Sequence, residues 1–132
     1  MTVFIDTSAF YALLDRDDAH HRRAKKTWSQ LLADDNALVT SNYIIIESAA
    51  LIQNRLGMEA LRSFYEDLLP IVNIEWIDET LHRSGVSAHL AATRRKLSLV
   101  DCLSFEIMRR EGMKATFAYD AHFEEQGFRC LS

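Results

Sequence analysis

Four acidic residues stand at points of the sequence where a carboxylate could do chemistry. Asp6 and Asp120 each follow a short apolar segment, Glu47 lies inside an apolar helical stretch, and Asp101 lies in the first turn of a predicted helix. Carboxylates that come together raise one another's pKa, and a divalent cation relieves this conflict. A ligand set of oxygens, without His or Cys, favours Mg²⁺ or Mn²⁺ over zinc.

Two of these acids are predicted at the ends of strands. Residues 3–5 form an uninterrupted apolar run directly before Asp6, which is typical of a strand covered on both faces. Residues 114–118 repeat the pattern before Asp120. Ligands of open α/β sheets bind outside the carboxyl ends of the strands, so both acids are candidates for a site. An Asp that only caps the next helix would give the same pattern.

The other two acids are predicted within helices. Glu47 lies in a helix that Ser41 or Asn42 can cap, and its neighbours three and four positions away are mostly apolar. A carboxylate in such an apolar stripe needs a partner, which is either an arginine in a buried salt bridge or a metal ion. Asp101 follows Ser98 by three residues, as in a capping box, so it either starts a helix or serves a site.

The segments around these acids predict alternating strands and helices. Thr7 or Ser8 can cap the first helix, and Asp78 can cap a later one. Strands are predicted at residues 3–5, 37–40, 71–77, 114–118 and 128–131. Helices are predicted at residues 9–14, 20–33, 42–56 and 58–69, with two more after Asp78 and Ser98.

Length and composition indicate one globular domain, residues 1–132. The 132 residues are 48% hydrophobic with one Pro and four Gly, which leaves little room for linkers. The N-terminus lacks a signal-peptide pattern, and no apolar run approaches a membrane span, so we expect a soluble, cytoplasmic protein. Cys102 and Cys130 are predicted to be buried thiols, because they lack the spacing of a metal or redox motif.

The net negative charge is compatible with a nucleic-acid partner only if several of the acids are gathered in one metal site. The chain has 15 basic and 19 acidic residues, a net charge of −4, and setting aside four site acids leaves 15 against 15. Two basic patches are either solvated surface or contacts to RNA phosphates. They consist of Arg22, Lys25 and Lys26 in the second predicted helix, and of Arg94, Arg95 and Lys96 before the third acidic motif.

The order of these motifs resembles the PIN domains, and most closely the ribonuclease toxins of VapC type. The likeness covers the whole chain. The matching segments are Phe4-Ile5-Asp6-Thr7-Ser8, Asn42-Tyr43-Ile44-Ile45-Ile46-Glu47-Ser48, Leu97-Ser98-Leu99-Val100-Asp101-Cys102 and Ala118-Tyr119-Asp120-Ala121-His122-Phe123.

The resemblance implies a fold, a reaction and partners. The fold is a three-layer α/β/α sandwich around a mainly parallel sheet of four to five strands. The four acids would hold Mg²⁺ or Mn²⁺ for the hydrolysis of RNA, and Ser8 or Thr7 would orient a water or a substrate phosphate. Toxins of this family are usually homodimers that a separate antitoxin inhibits, so both partners are expected.

Other functions remain open at this point. Phosphatases of the haloacid dehalogenase type also use a strand-end Asp, but they need a second Asp two residues on, where this chain has Ser8. A response receiver needs an acid pair and a late Lys, and only Asp6 is clearly present. The presence of all four acids argues against a non-catalytic PIN module that only binds RNA or protein. A housekeeping RNA-processing nuclease would have the same site, and a neighbouring antitoxin gene would separate the two.

Overall fold

The computed structural model describes residues 1–132, and at its centre is a sheet of five parallel strands in the order β3-β2-β1-β4-β5. This arrangement confirms the predicted α/β class with a parallel sheet. The strands are β1 (Thr2–Ile5), β2 (Ala37–Ser41), β3 (Asn73–Glu75), β4 (Ala115–Phe117) and β5 (Arg129–Leu131).

Seven α-helices connect the strands and cover the sheet. Side chains alternate between the faces of a strand, and Val3, Phe4 and Ile5 are all fully buried, so β1 is covered on both sides. A three-layer sandwich requires this pattern. The helices are α1 (Thr7–Leu14), α2 (His21–Ala33), α3 (Asn42–Leu56), α4 (Met58–Ser63), α5 (Glu79–Ala92), α6 (Leu99–Arg110) and α7 (His122–Glu125).

The middle strand, β1, fixes where a site can form. It pairs with β2 on one side, with Val3 opposite Leu38, and with β4 on the other, with Phe4 opposite Thr116. The chain leaves β1 towards β2 and returns on the far side as β4, so the connections diverge at the carboxyl end of β1. Parallel sheets leave a crevice at such a switch point. Asp6 lies there.

The third strand is shorter than predicted. Residues 71–77 were expected to be extended, but only Asn73–Glu75 pair with β2, and the prediction is wrong at both ends. Leu69–Ile71 forms a 3₁₀ turn that contains Pro70, because the fixed φ of proline suits a turn and its missing N–H does not suit a sheet.

The helix predicted over residues 58–69 changes its winding halfway. Its α-helical part ends at Ser63, and Phe64–Leu68 continues as a π-helical turn. Phe64 is fully buried in this turn, and its ring meets the ring of Phe10 edge-on at 5.1 Å between centroids. The wider turn accompanies this aromatic contact with α1.

Several smaller predictions are confirmed. Ser41 caps α3 by accepting a hydrogen bond from the Ile44 N–H, and Asp78 caps α5 in the same way. Cys102 is buried, Cys130 is partly buried, and neither forms a disulfide. None of the helices has both the length and the apolar character that a bilayer crossing needs.

Candidate active site

Asp6 joins the end of β1 to the start of α1. Its N–H donates to the carbonyl of Phe117 at 3.1 Å, and its Oδ2 accepts the Ser8 N–H at 3.2 Å. Asp6 is therefore the N-cap, and the prediction that Thr7 or Ser8 caps this helix is wrong. The helix begins directly after the strand, so Asp6 is the residue with the extended backbone that an N-cap needs.

The carboxylate of Asp6 is held in a place that disfavours its charge. The residue is only 6% exposed, and burial raises its pKa from 3.8 to about 6. Hydrogen bonds from Ser8 oppose the rise, whereas the charges of Asp101 and Asp120 add to it. No lysine or arginine forms an ion pair with any of these three acids. A cation would therefore stabilise the ionised form.

The hydroxyls of Thr7 and Ser8 tie the start of α1 to its neighbours. Ser8 Oγ donates to Asp6 Oδ2 at 2.6 Å and accepts the N–H of Tyr119 at 2.9 Å. Thr7 Oγ1 accepts the buried hydroxyl of Ser48, on α3, at 3.0 Å. Both hydroxyls thus position the elements that carry the acids.

Asp101 starts α6 and also lies close to Asp120. Ser98 Oγ accepts the Asp101 N–H, and Asp101 Oδ2 accepts the Ser98 N–H, both at 3.1 Å, so the predicted capping box is confirmed. This box uses one carboxylate oxygen. Burial and, less strongly, the charge of Asp120 raise the pKa of Asp101, as expected for an acid that also faces other acids.

Asp120 and Asp101 meet beside a histidine that the sequence did not single out. His122 Nδ1 lies 3.1 Å from Asp120 Oδ1 and 3.8 Å from Asp101 Oδ2. One ligand atom from each of these three residues lies within 4.8 Å of the other two. The signal for His122 was its position in the fourth motif, two residues after the strand-end acid.

Glu47 differs from the expectation in its burial. The argument that it lies in an apolar stripe is wrong, because the stripe that α3 buries consists of Ile44, Ser48 and Ile52, and Glu47 is exposed beside it. Glu47 also forms no ion pair, which removes the buried salt bridge as an explanation. Its neighbour Ser48 contacts Thr7, so α3 passes the start of α1 one residue from Glu47.

The two predicted basic patches differ in how free their charges are. The side chains of Arg22, Lys25 and Lys26 on α2 are exposed and make no ion pair. Arg94 instead pairs with Glu125 at 2.9 Å, while its neighbours Arg95 and Lys96 are exposed. The patch on α2 is therefore the more available to phosphates.

An aromatic stack connects the start of α2 with the acids. The ring of His20 lies on the ring of Tyr119, with 4.3 Å between centroids and 12° between planes. The guanidinium of Arg23 lies 5.9 Å from the Tyr119 centroid and bonds to His20 Nδ1 at 2.7 Å. Since the Tyr119 N–H donates to Ser8, the first turn of the basic helix begins near the acidic cluster.

The residues at this sheet edge fit a divalent cation. Asp6 is a desolvated carboxylate without a cationic partner, and Asp101 and Asp120 face each other. The Nδ1 atom of His122 is buried and has no hydrogen-bond partner, although buried polar atoms normally have one. The carboxylate oxygens that predominate in this set favour Mg²⁺ or Mn²⁺, and the imidazole nitrogen of His122 suits a transition metal such as Mn²⁺.

Comparison with known proteins gives consistent matches. The PIN domain family matches residues 3–129. A 23S rRNA-specific endonuclease, VapC20, from two strains of Mycobacterium tuberculosis is 30% identical over 127 residues, which are 96% of this chain and 95% of VapC20. The crystal structure of VapC20, described as a sarcin-ricin loop cleaving toxin, has a TM-score of 0.85 at 29% identity, with 96% and 95% of the two chains covered.

More distant structures share the fold. FitAcB from Neisseria gonorrhoeae has a TM-score of 0.69 at 14% identity and covers 100% of this chain and 97% of its own. FitAB bound to a DNA fragment has a TM-score of 0.68 at 16% identity, with coverages of 98% and 93%.

Proposed function

Since this chain belongs to the PIN domain family, we propose that it is a metal-dependent endoribonuclease and the toxin of a toxin–antitoxin pair. The observation that carries the proposal is the convergence of Asp6 after β1, Asp120 after β4 and Asp101 at the start of α6. The pKa values of Asp6 and Asp101 are raised, and no lysine or arginine pairs with any of the three acids. Residues 1–132 would form one domain around this site.

We assign the metal to four acids: Asp6, Glu47, Asp101 and Asp120. When bound, a divalent ion, Mg²⁺ or Mn²⁺, supplies Lewis-acid polarisation of a phosphoryl oxygen and lowers the pKa of a water. Asp6 would be the buried ligand, aimed by the hydroxyl of Ser8. Glu47 would be the ligand most open to solvent, reached from α3.

The basic surface supports RNA as the substrate. Arg22, Lys25 and Lys26 are free to contact phosphates. The helix that carries them, α2, begins beside the stacked rings of His20 and Tyr119, and the Tyr119 N–H donates to Ser8, the residue that bonds to Asp6. Arg95 and Lys96 are candidates for a second contact to RNA phosphates. Arg94, the third member of that patch, is already paired with Glu125. Because the similar protein VapC20 is a 23S rRNA-specific endonuclease, ribosomal RNA is the first substrate to test, and a cytoplasmic location follows from it.

A toxin of this kind needs a protein inhibitor in the same cell. We propose a cognate antitoxin, because VapC20 is described as a toxin and matches this chain over nearly its whole length. We also propose a homodimeric toxin, as the resemblance to toxins of VapC type implies. Co-purification of the chain with the product of a neighbouring small gene tests the first of these. Light scattering of the purified chain tests the second.

The substrate is tested by mapping cleavage. The purified chain is incubated with intact ribosomes and with protein-free total RNA in Mg²⁺ or Mn²⁺, and new RNA ends are located by sequencing. We expect a small number of defined cuts in ribosomal RNA and growth arrest when the chain is expressed alone. Cuts confined to precursor RNA, without growth arrest, would favour a housekeeping nuclease. Absence of any metal-stimulated cut would refute the nuclease assignment.

A further inference from the structure

We infer that His122 is itself a ligand of the metal ion, through Nδ1, beside the carboxylates of Asp101 and Asp120, and that this nitrogen makes the site prefer Mn²⁺ to Mg²⁺. The inference deepens the proposed function, because it concerns the composition of the same site. It concerns metal binding alone, so it can be tested without RNA.

The first argument is geometric. His122 Nδ1 lies between two carboxylates, 3.1 Å from Asp120 Oδ1 and 3.8 Å from Asp101 Oδ2. The three side chains offer ligand atoms within 4.8 Å of one another, a span that one cation can bridge. The backbone N–H of His122 also donates to Asp120 Oδ1 at 2.9 Å, which fixes the backbone at this point.

The second argument concerns the nitrogen atom. Nδ1 is shielded from solvent and has no hydrogen-bond partner. Its distance from Asp120 would suit a hydrogen bond, but the orientation of the ring does not provide one. Burying a polar atom without a partner is unfavourable, and a neutral imidazole nitrogen is a common metal ligand. A cation among the three side chains would supply the missing partner.

The third argument concerns metal preference. Mg²⁺ is a hard cation that favours oxygen ligands and retains its waters, whereas imidazole suits the transition metals. Mn²⁺ binds the same carboxylates and, as a first-row transition metal, accepts an imidazole nitrogen more readily than Mg²⁺ does. A site with three or four carboxylates alone would not show this preference to the same degree.

The test uses electron spin echo spectroscopy of Mn²⁺ bound to the full chain. We expect nitrogen modulation from a coordinated imidazole in the wild type, and its frequencies should change when histidine is labelled with ¹⁵N. The modulation should disappear in His122→Gln. His89→Gln is the matched control, because the His89 ring bonds to the Leu97 carbonyl instead, and it should keep the modulation.

Calorimetric titrations with Mn²⁺ and Mg²⁺ give a second readout. In His122→Gln the affinity for Mn²⁺ should fall by about tenfold or more, with a much smaller loss for Mg²⁺. The inference is overturned if the wild type binds Mn²⁺ without nitrogen modulation or if the ratio of the two affinities is unchanged. The isotope experiment uses only the wild-type protein, so it can refute the inference even if the His122→Gln protein does not fold.

The outcomes separate this inference from the proposed function. RNA cleavage by a protein whose Mn²⁺ shows no nitrogen ligand would refute the role of His122 and leave the nuclease. Nitrogen-bound Mn²⁺ without RNA cleavage would support the role of His122 and refute the nuclease. A chain that binds neither cation would refute both.

Discussion

The hydroxyl of Ser8 donates a hydrogen bond of 2.6 Å to Oδ2 of Asp6. The same hydroxyl accepts the N–H of Tyr119, the residue before Asp120. One small side chain therefore connects the acid after β1 with the segment that carries the acid after β4. The relative placement of the two carboxylates therefore depends on Ser8.

Replacement of Ser8 by Ala should destabilise the metal-free protein by about 1 to 2 kcal/mol, because the partly buried N–H of Tyr119 loses its acceptor. It should also raise the pKa of Asp6 further, because alanine lacks the hydroxyl whose hydrogen bond lowers that pKa. Denaturant melts and a carboxyl NMR titration measure the two effects. Ser8→Thr, which keeps the hydroxyl, and Ser29→Ala, on the exposed face of α2, should change stability by only about 0.5 kcal/mol.

The buried charge of Asp6 predicts how stability varies with pH. In the folded protein its pKa is about 6, above its ordinary value of 3.8, so the folded state holds the proton more tightly than the unfolded chain. The stabilisation from this group is complete below about pH 4 and is lost as the pH rises through about 6. Its size is roughly 3 kcal/mol.

Asp6→Asn should therefore be more stable than the wild type at pH 8 in EDTA, and the two should converge near pH 4. Asn remains a good N-cap, so the comparison isolates the charge. Urea melts at several pH values measure the difference. If the difference in stability between the two proteins were the same from pH 4 to pH 8, the pKa of Asp6 would not be raised in the folded state.

Glu47→Gln should abolish most RNA cleavage and leave the metal-free protein within about 0.5 kcal/mol of the wild type. The reason is that Glu47 is exposed and unpaired, so its charge contributes little to the fold. Cleavage assays with metal and denaturant melts in EDTA give the two values. Glu111→Gln, another exposed acid, is the control and should keep full activity. A fully active Glu47→Gln protein would remove Glu47 from the metal site.

Replacement of Arg22, Lys25 and Lys26 by Ala should weaken RNA binding uniformly across sequences and flatten its dependence on salt. Each lost phosphate contact lowers the slope of log affinity against log salt by about 0.7 to 0.9. Arg94→Ala should have a smaller effect, because Glu125 already neutralises that side chain. Lys114→Gln, which removes an exposed and unpaired cation before the amino end of β4, is the control. An unchanged slope in the triple variant would return these residues to ordinary solvated surface.

The sequence predicted the parallel sheet and most helices because their signals are local. A fully apolar run marks β1, and caps such as Ser41 and the box of Ser98 with Asp101 mark helix starts. The third strand was predicted too long because a run of apolar residues does not show where pairing stops. The Ala115–Phe117 strand was also one residue shorter at each end than predicted.

The composition of the site was harder to predict. Glu47 looked buried because helical spacing identifies a face but not its exact centre, and a shift of one residue moved the buried stripe to Ser48. His122 was missed because its closeness to Asp101 arises from tertiary packing of α6 against the loop after β4. The position of His122 two residues after Asp120 was the one local signal, and it did not indicate the contact with Asp101.

The most direct test of the account measures RNA cleavage and thermal stability together as metal is added back to metal-free protein. We predict no cleavage in EDTA, restoration by Mg²⁺ or Mn²⁺, and a rise in melting temperature that corresponds to about 2.7 kcal/mol at 100 times the dissociation constant. Asp101→Asn, which can still accept the Ser98 N–H, should fold but show neither response. Cleavage that persists in EDTA, or that survives in Asp101→Asn, would contradict the claim that these acids hold a catalytic metal.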